Sequence, residues 1–149
     1  MTEKQLRKIV EKWLQDKGCY VAHEIMVSGY IDLIGAKYKT RIGREIPGVE
    51  EIIGVELKIS DILGVIGQAF NNCWFCDYSY AAMPKENISK MRQASLDKFK
   101  SRGVGLLAVD VESNQVEVIV EANKNSIEHS PNILRRLWNF KIRHSAMKK

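Results

Sequence analysis

The stretch Ile52-Ile53-Gly54-Val55-Glu56-Leu57-Lys58-Ile59 decides how the rest of the chain is read. Val55, Leu57 and Ile59 alternate with Glu56 and Lys58, the period of two that a strand imposes. Glu56 and Lys58 therefore share a face, one pleat apart. Upstream, Tyr30-Ile31-Asp32-Leu33-Ile34-Gly35 reads as another strand, with an acid between apolar neighbours. An ionised carboxylate beside a core is disfavoured unless it is paired or metal-bound. Laid side by side, the two strands would bring two carboxylates and one ammonium to a small patch. Two carboxylates suit a hard divalent cation such as Mg²⁺. A lysine beside them can steady a water or neutralise developing charge. Together they are the minimum equipment for metal-assisted phosphodiester hydrolysis. The plainer alternative is a same-face ion pair worth at most about 1 kcal/mol.

Working outward, Thr2 to Lys17 has the pattern of a helix, with Leu6, Ile9, Val10, Trp13 and Leu14 on one stripe, Thr2 as cap and Gly18 as stop. Cys19 to Val27 reads as a strand holding His23 and Glu24, Ser28-Gly29 as a turn and Tyr30 to Tyr38 as a strand. Lys39 to Glu51 is polar and reads as a hairpin tip or loop. Ile52 to Ile59 is the third strand. Asp61 can cap a helix through Phe75, in which Gly64 and Gly67 weaken the helical propensity; close packing or a bound ligand would explain them. Tyr78 to Met83 is a strand, Glu86 to Arg102 a helix ended by Gly103, and Val104 to Val109 and Val116 to Val120 are strands. Pro131 starts a last helix.

These motifs in this order resemble the PD-(D/E)XK nuclease superfamily, whose weak signature is an acid on one strand and Glu/Asp-x-Lys on the next. Here they are Asp32 and Glu56-x-Lys58. The resemblance implies an α/β fold: a restriction-endonuclease-like αβββαβ core, a mixed central sheet flanked by helices, and extra C-terminal strands and a helix. Motifs support it over residues 2–84 and topology alone over 85–120. Asp77 to Pro84 is similar to the strand and proline that follow this helix in several such nucleases. The superfamily's roles then fall on Asp32 and Glu56 as metal ligands, with the Leu57 carbonyl often added, and on Lys58 as the group that orients and polarises water. RecB-like members place a glutamine on the following helix, here Gln68, and a tyrosine one turn later, where this chain departs with Asn72. Glu24 and then Glu3 are further candidates for a metal position, with Glu11 competing. The implied activity is hydrolysis of DNA by a metal-activated water, with Mg²⁺ or Mn²⁺ as cofactor. The alternative is a nucleic-acid-binding protein that kept the fold and lost turnover. Homodimers are common in the superfamily, so a homodimer able to cut two strands is expected.

Composition agrees with one domain over residues 1–149, its core within about 2–120. The chain has 149 residues, 45% of them hydrophobic, enough to bury a core. A net charge of +5 and a pI near 9.1 favour a polyanionic partner. The basic residues fall in two clusters suited to phosphate contact: Lys37, Lys39, Arg41 and Arg44, and then Arg135, Arg136, Lys141, Arg143, Lys148 and Lys149 in a helix and tail over 131–149. Met1 to Trp13 lacks an apolar signal core, and no run of about 18 apolar residues occurs, so a cytoplasmic protein with no membrane partner is expected. The three cysteines, Cys19, Cys73 and Cys76, are too few for a four-cysteine iron–sulfur cluster. Cys73-x-x-Cys76 with Cys19 and His23 would make four zinc ligands, and a zinc or redox protein is the second rival. Buried free thiols are the plainer reading.

Overall fold

Helix α1, Glu3–Asp16, forms where the sequence repeats apolar residues every third or fourth position, and Leu6, Ile9, Val10 and Leu14 are buried. Its first turn is closed by a capping box: Thr2 Oγ1 accepts from the N–H of Gln5 at 3.2 Å, and Gln5 Oε1 accepts from the N–H of Thr2 at 2.9 Å. Gly18, at φ +89°, takes the left-handed conformation that turns the chain back into the sheet. This computed structural model describes residues 1–27, 29–40, 42–44 and 46–147, and the side chains only as far as 144. Ser28 of the expected turn, and the basic residues Arg41, Lys148 and Lys149, lie outside the described residues.

Among the described residues six strands form one sheet in sequence order: β1 Tyr20–Met26, β2 Tyr30–Tyr38, β3 Val49–Leu57, β4 Tyr78–Pro84, β5 Gly105–Asp110 and β6 Gln115–Val120. β1, β2 and β3 are antiparallel, β3, β4 and β5 parallel, and β5 and β6 antiparallel. Helix α2, Ile62–Asn72, makes the crossover from β3 to β4. Helices α3, Lys85–Ser89, and α4, Gln93–Arg102, make the crossover from β4 to β5, and α5, Pro131–Met147, closes the chain. Period-two burial sorts the strands into two faces. On one, Leu33, Val55, Leu57, Ala82 and Leu107 pack beneath α1. On the other, α2 and α4 cover Ala81, Met83, Leu106 and Ala108, while α5 lays Ile133 and Leu137 over Ala22, Ile34, Ala36 and Ile52. The protein is thus a mixed α/β fold, a six-stranded mixed sheet flanked by helices. The helix-strand-strand-strand-helix-strand order expected at its start is present.

The helix expected through Phe75 ends at Asn72, and three further boundaries differ from those expected, each for a local reason. β3 begins at Val49 rather than Ile52, because polar Glu51 pairs with Lys37 across the ladder, Nζ to Oε2 at 2.9 Å, and Tyr38 pairs with Val49. A strand edge held by charges reads as loop when only hydrophobicity is followed. β3 also ends at Leu57, so Lys58 and Ile59 lie beyond it, although the N–H of Lys58 still donates to the carbonyl of Ala82 at 3.1 Å. The helix expected over Glu86–Arg102 is two helices. Ser89 Oγ donates to the carbonyl of Glu86 at 2.7 Å, competing with the helical bond, and Arg92 is extended.

Candidate active site

The site lies where β2 and β3 part. The last backbone pair before they separate is Leu33 with Val55. Beyond it the N–H of Leu57 donates to Asp32 Oδ2 at 2.9 Å, so a side chain occupies the place of a backbone carbonyl. One more step of the same register sets Asp32 across from Glu56. Asp32 is half-buried, and Glu56 is 3% exposed. Glu56 Oε1 accepts from Nδ2 of Asn72, a buried residue in the last turn of α2, at 2.9 Å. Burial raises the Glu56 carboxyl from 4.5 to about 8; the Asn72 donor pulls it down, and the neighbouring Asp32 carboxylate pushes it up. A cleft of about 150 Å³ opens over Glu56, walled by Gln68 and Asn72 of α2 and by Tyr30, Ile31 and Phe75.

The expected acids are not all gathered there. Glu24 sits across from Asp32 in the β1–β2 register, between the pairs His23–Leu33 and Ile25–Ile31. Its backbone is left-handed, φ +52°, and its Oε1 lies 3.5 Å from Arg7 Nη2 of α1. Glu3 is exposed in the first turn of α1, where a carboxylate complements the helix dipole. Glu11 Oε2 lies 3.2 Å from His23 Nε2, a contact off the hydrogen-bonding direction. Among the described residues no group of three or more His, Cys, Asp or Glu side chains converges as a metal site. The donor set built by the fold is therefore Asp32 with Glu56, two oxygen ligands of the kind hard divalent cations take. Lys58 is half-buried, one residue beyond the end of β3. Gln68 lines the cleft.

Asn72 is the residue that sequence reasoning passed over. Noted only as a departure from a tyrosine, it is the direct partner of Glu56. Its signal was a short amide four residues after Gln68, on the same flank of the helix. Asp77 is a second buried acid with a different task. Its Oδ2 accepts from the N–H of Ile52 and lies against His129 Nε2, both at 2.7 Å, tying the segment after β6 to the sheet.

The four-ligand zinc alternative is corrected by the fold. Cys19 packs with Leu14 on the α1 face, against Gly35, whereas Cys76 lies on the opposite face against Gly54. Burial raises the thiols of all three cysteines, Cys19 to about 11, so they sit protonated as small core residues. Of the basic clusters, Lys37 is held by Glu51, whose hydrogen bond raises its pKa. Lys141 lies over the Tyr20 and Trp138 rings, at 5.2 and 5.6 Å. Lys39, Arg44, Arg135, Arg136 and Arg143 are exposed. Arg135, Arg136 and Arg143 ride on α5, which covers the same sheet face that carries Glu56.

No protein-family model, no curated protein and no solved structure matches this chain. Fold and site together define a mixed α/β protein with a buried carboxylate, Glu56, beside the half-buried Asp32 at an opening in its sheet. No helix of the described residues is long and apolar enough to cross a membrane.

Proposed function

We propose that this protein is a metal-dependent nuclease of the PD-(D/E)XK type, hydrolysing phosphodiester bonds in DNA. The observation that carries the proposal is the carboxylate pair. Asp32 and Glu56 face each other where the ladder opens, and Glu56 is so buried that its proton is held to about pH 8. Two carboxylates packed this way repel, and a divalent cation is the partner that would let both ionise. The element order and the parallel β3–β4 crossover support the same family.

In this mechanism Asp32 and Glu56 would hold Mg²⁺ or Mn²⁺, which when bound supplies Lewis-acid polarisation of the phosphate and a water of lowered pKa. The chain's own residues do the positioning. Asn72 fixes Glu56 through Oε1, at the floor of the cleft that Glu56 lines. Leu57 N–H fixes Asp32. Gln68 stands at the cleft wall, where it can bond water or a phosphate oxygen. Lys58 would reach the reacting phosphate from the strand end and orient the attacking water. Arg135, Arg136, Arg143, Lys39 and Arg44 supply phosphate contacts along the strand. Uncatalysed phosphodiester hydrolysis is very slow, so the acceleration demanded is about 10¹⁵-fold or more, beyond what positioning alone achieves.

One observation favours the alternative of a binding protein without turnover: β3 ends at Leu57, so Lys58 lies beyond the strand that carries Glu56. A cleavage assay separates the two. Supercoiled, linear, single-stranded and branched DNA are incubated with Mg²⁺, with Mn²⁺ and with EDTA, beside Glu56→Ala and Lys58→Ala. Metal-dependent cutting that falls by about 10³-fold or more in both variants is the expected result. DNA binding without cutting supports the alternative. Absence of both would remove the nuclease proposal.

A further inference from the structure

We propose that Tyr30 is a base-stacking residue at the mouth of the cleft, selecting DNA in which the base beside the scissile phosphate is unpaired. The inference rests on the nuclease reading for the place of that phosphate, and it names the substrate class within it.

The size of the cleft sets the first constraint. It measures about 150 Å³, and Glu56, 3% exposed, lies at its floor. Sites that enclose a whole drug-sized ligand run to about 300–1,000 Å³. A phosphate group with an ion fits the smaller space, and a nucleoside does not. A phosphate that reaches the carboxylate pair therefore leaves its base outside, at the rim.

Tyr30 stands at that rim, two residues before Asp32. It lines the cleft and is nevertheless 64% exposed. The other four of the five tyrosines are used within the molecule. Tyr20 meets Phe140 edge-on, Tyr38 meets Trp138, Tyr80 meets Trp13, and Tyr78 packs against the core beneath α1. Among the described residues no ring or cation stacks on Tyr30, and its hydroxyl has no hydrogen-bond partner. Its ring adds little to the fold, so its use lies outside the chain.

The chemistry of the ring says what it meets. The face of an aromatic ring is its negative side, a poor neighbour for a phosphate and a good one for the flat face of a base. A base offers that face only where its neighbour in the stack is missing. In a continuous duplex the stack covers both faces, and the protein meets sugar and phosphate. A single strand, a frayed end or a flap leaves faces free. Sites for unpaired strands join an aromatic platform to cations that follow the backbone. Arg135, Arg136 and Arg143 on α5, over the sheet face that carries Glu56, supply the cations. Tyr30 thus determines specificity by holding the base, while the carboxylate pair acts on the phosphate.

Fluorescence anisotropy with the full chain tests this apart from cutting. In EDTA and with Ca²⁺, wild type, Tyr30→Phe and Tyr30→Ala are titrated against a labelled single strand. The same sequence as a duplex, and a strand of equal length with every base removed, are titrated alongside. Tyr30→Ala should bind the single strand about tenfold more weakly, the scale of one base–aromatic stack. It should bind the duplex and the baseless strand as wild type does, and Tyr30→Phe should match wild type throughout. Should Tyr30→Ala not fold by circular dichroism, Tyr30→Leu, which keeps bulk in the strand and lacks the ring, takes its place. With Mg²⁺, the same variant should cut single strands more slowly and duplex unchanged. Equal losses on all three ligands, or none on any, overturn this inference even if DNA is cut. Ring-dependent binding of the single strand without cutting upholds the base contact and overturns the turnover reading alone. Absence of any DNA binding overturns both.

Discussion

Helices α1 and α2 cover opposite faces of one sheet, and they are built to different ends. Every feature of α1 serves the stability of a single chain: a reciprocal cap, four buried apolar residues on one stripe, and a glycine stop. α2 departs from that pattern at each step. Its cap, Asp61, has a left-handed backbone at φ +57°. Two glycines interrupt it, a buried asparagine replaces an apolar side chain, and a line of large apolar residues faces water. Local rules are commonly broken where a protein meets something outside itself. Here the broken rules fall on the helix that touches Glu56, and not on the helix across the sheet.

The largest break in this comparison comes from the α1 side. Leu14 is fully buried between α1 and the sheet, its side chain against Gly35. Leu14→Ala should cost about 2–5 kcal/mol through lost burial and an unfilled cavity. Denaturant melts should show that loss, while any rise in stability on adding Mg²⁺ should be the same as in wild type. A variant that lost the Mg²⁺ response as well would mean that the two faces are not independent.

Glu56 gives the next effect, and its sign is opposite. The unfolded chain releases this proton near pH 4.5, whereas the native chain keeps it to about pH 8. Between those values the native state binds more protons, so stability falls as pH rises, and it levels off above about 8. Glu56→Gln keeps the acceptor for Asn72 and removes the titration. In EDTA the variant should match wild type below about pH 4.5 and exceed it at neutral pH by about 1–3 kcal/mol. A divalent cation held by the pair, as proposed, would bind the ionised form, so its stabilisation of wild type should grow with pH towards 8 and be absent in the variant. An equal stability difference at acid and neutral pH would show that Glu56 is not held protonated.

The contrast between the helices also explains what was legible in the chain. α1 and the alternation of β3 follow from local periodicity, and Asp32, Glu56 and Gln68 were legible because period two and helical spacing fix faces. Three things escaped that logic. The start of β3 is held by the Lys37–Glu51 pair, a contact between residues far apart in sequence. The kink at Glu24, which gives its carboxylate to Arg7, is a backbone state that composition does not mark. The role of Asn72 depends on the crossover bringing the end of α2 down onto β3, a tertiary fact. Gly67 was visible as an anomaly in the sequence, but only the empty space around it separates it from Gly64.

The two caps sharpen the comparison at its smallest scale. Thr2 sits in extended backbone, φ −99°, and serves only by its hydroxyl. Thr2→Ala should therefore cost about 1 kcal/mol, the loss of a cap, and Thr2→Gly only about a few tenths. Asp61 combines a cap with a left-handed backbone, in which a β-carbon is disfavoured by about 1–2 kcal/mol. Asp61→Ala should lose the cap and keep the strain, whereas Asp61→Gly relieves the strain, so the advantage of glycine over alanine should be larger at Asp61 than at Thr2 by about 1–2 kcal/mol. Thermal melts of the four variants check this. If alanine and glycine differ no more at Asp61 than at Thr2, the strain at the start of α2 is not real, and that mark of difference between the helices disappears. If they differ as expected, α2 keeps a strained entry immediately after Lys58, Ile59 and Ser60, where the chain leaves β3 beside the carboxylate pair.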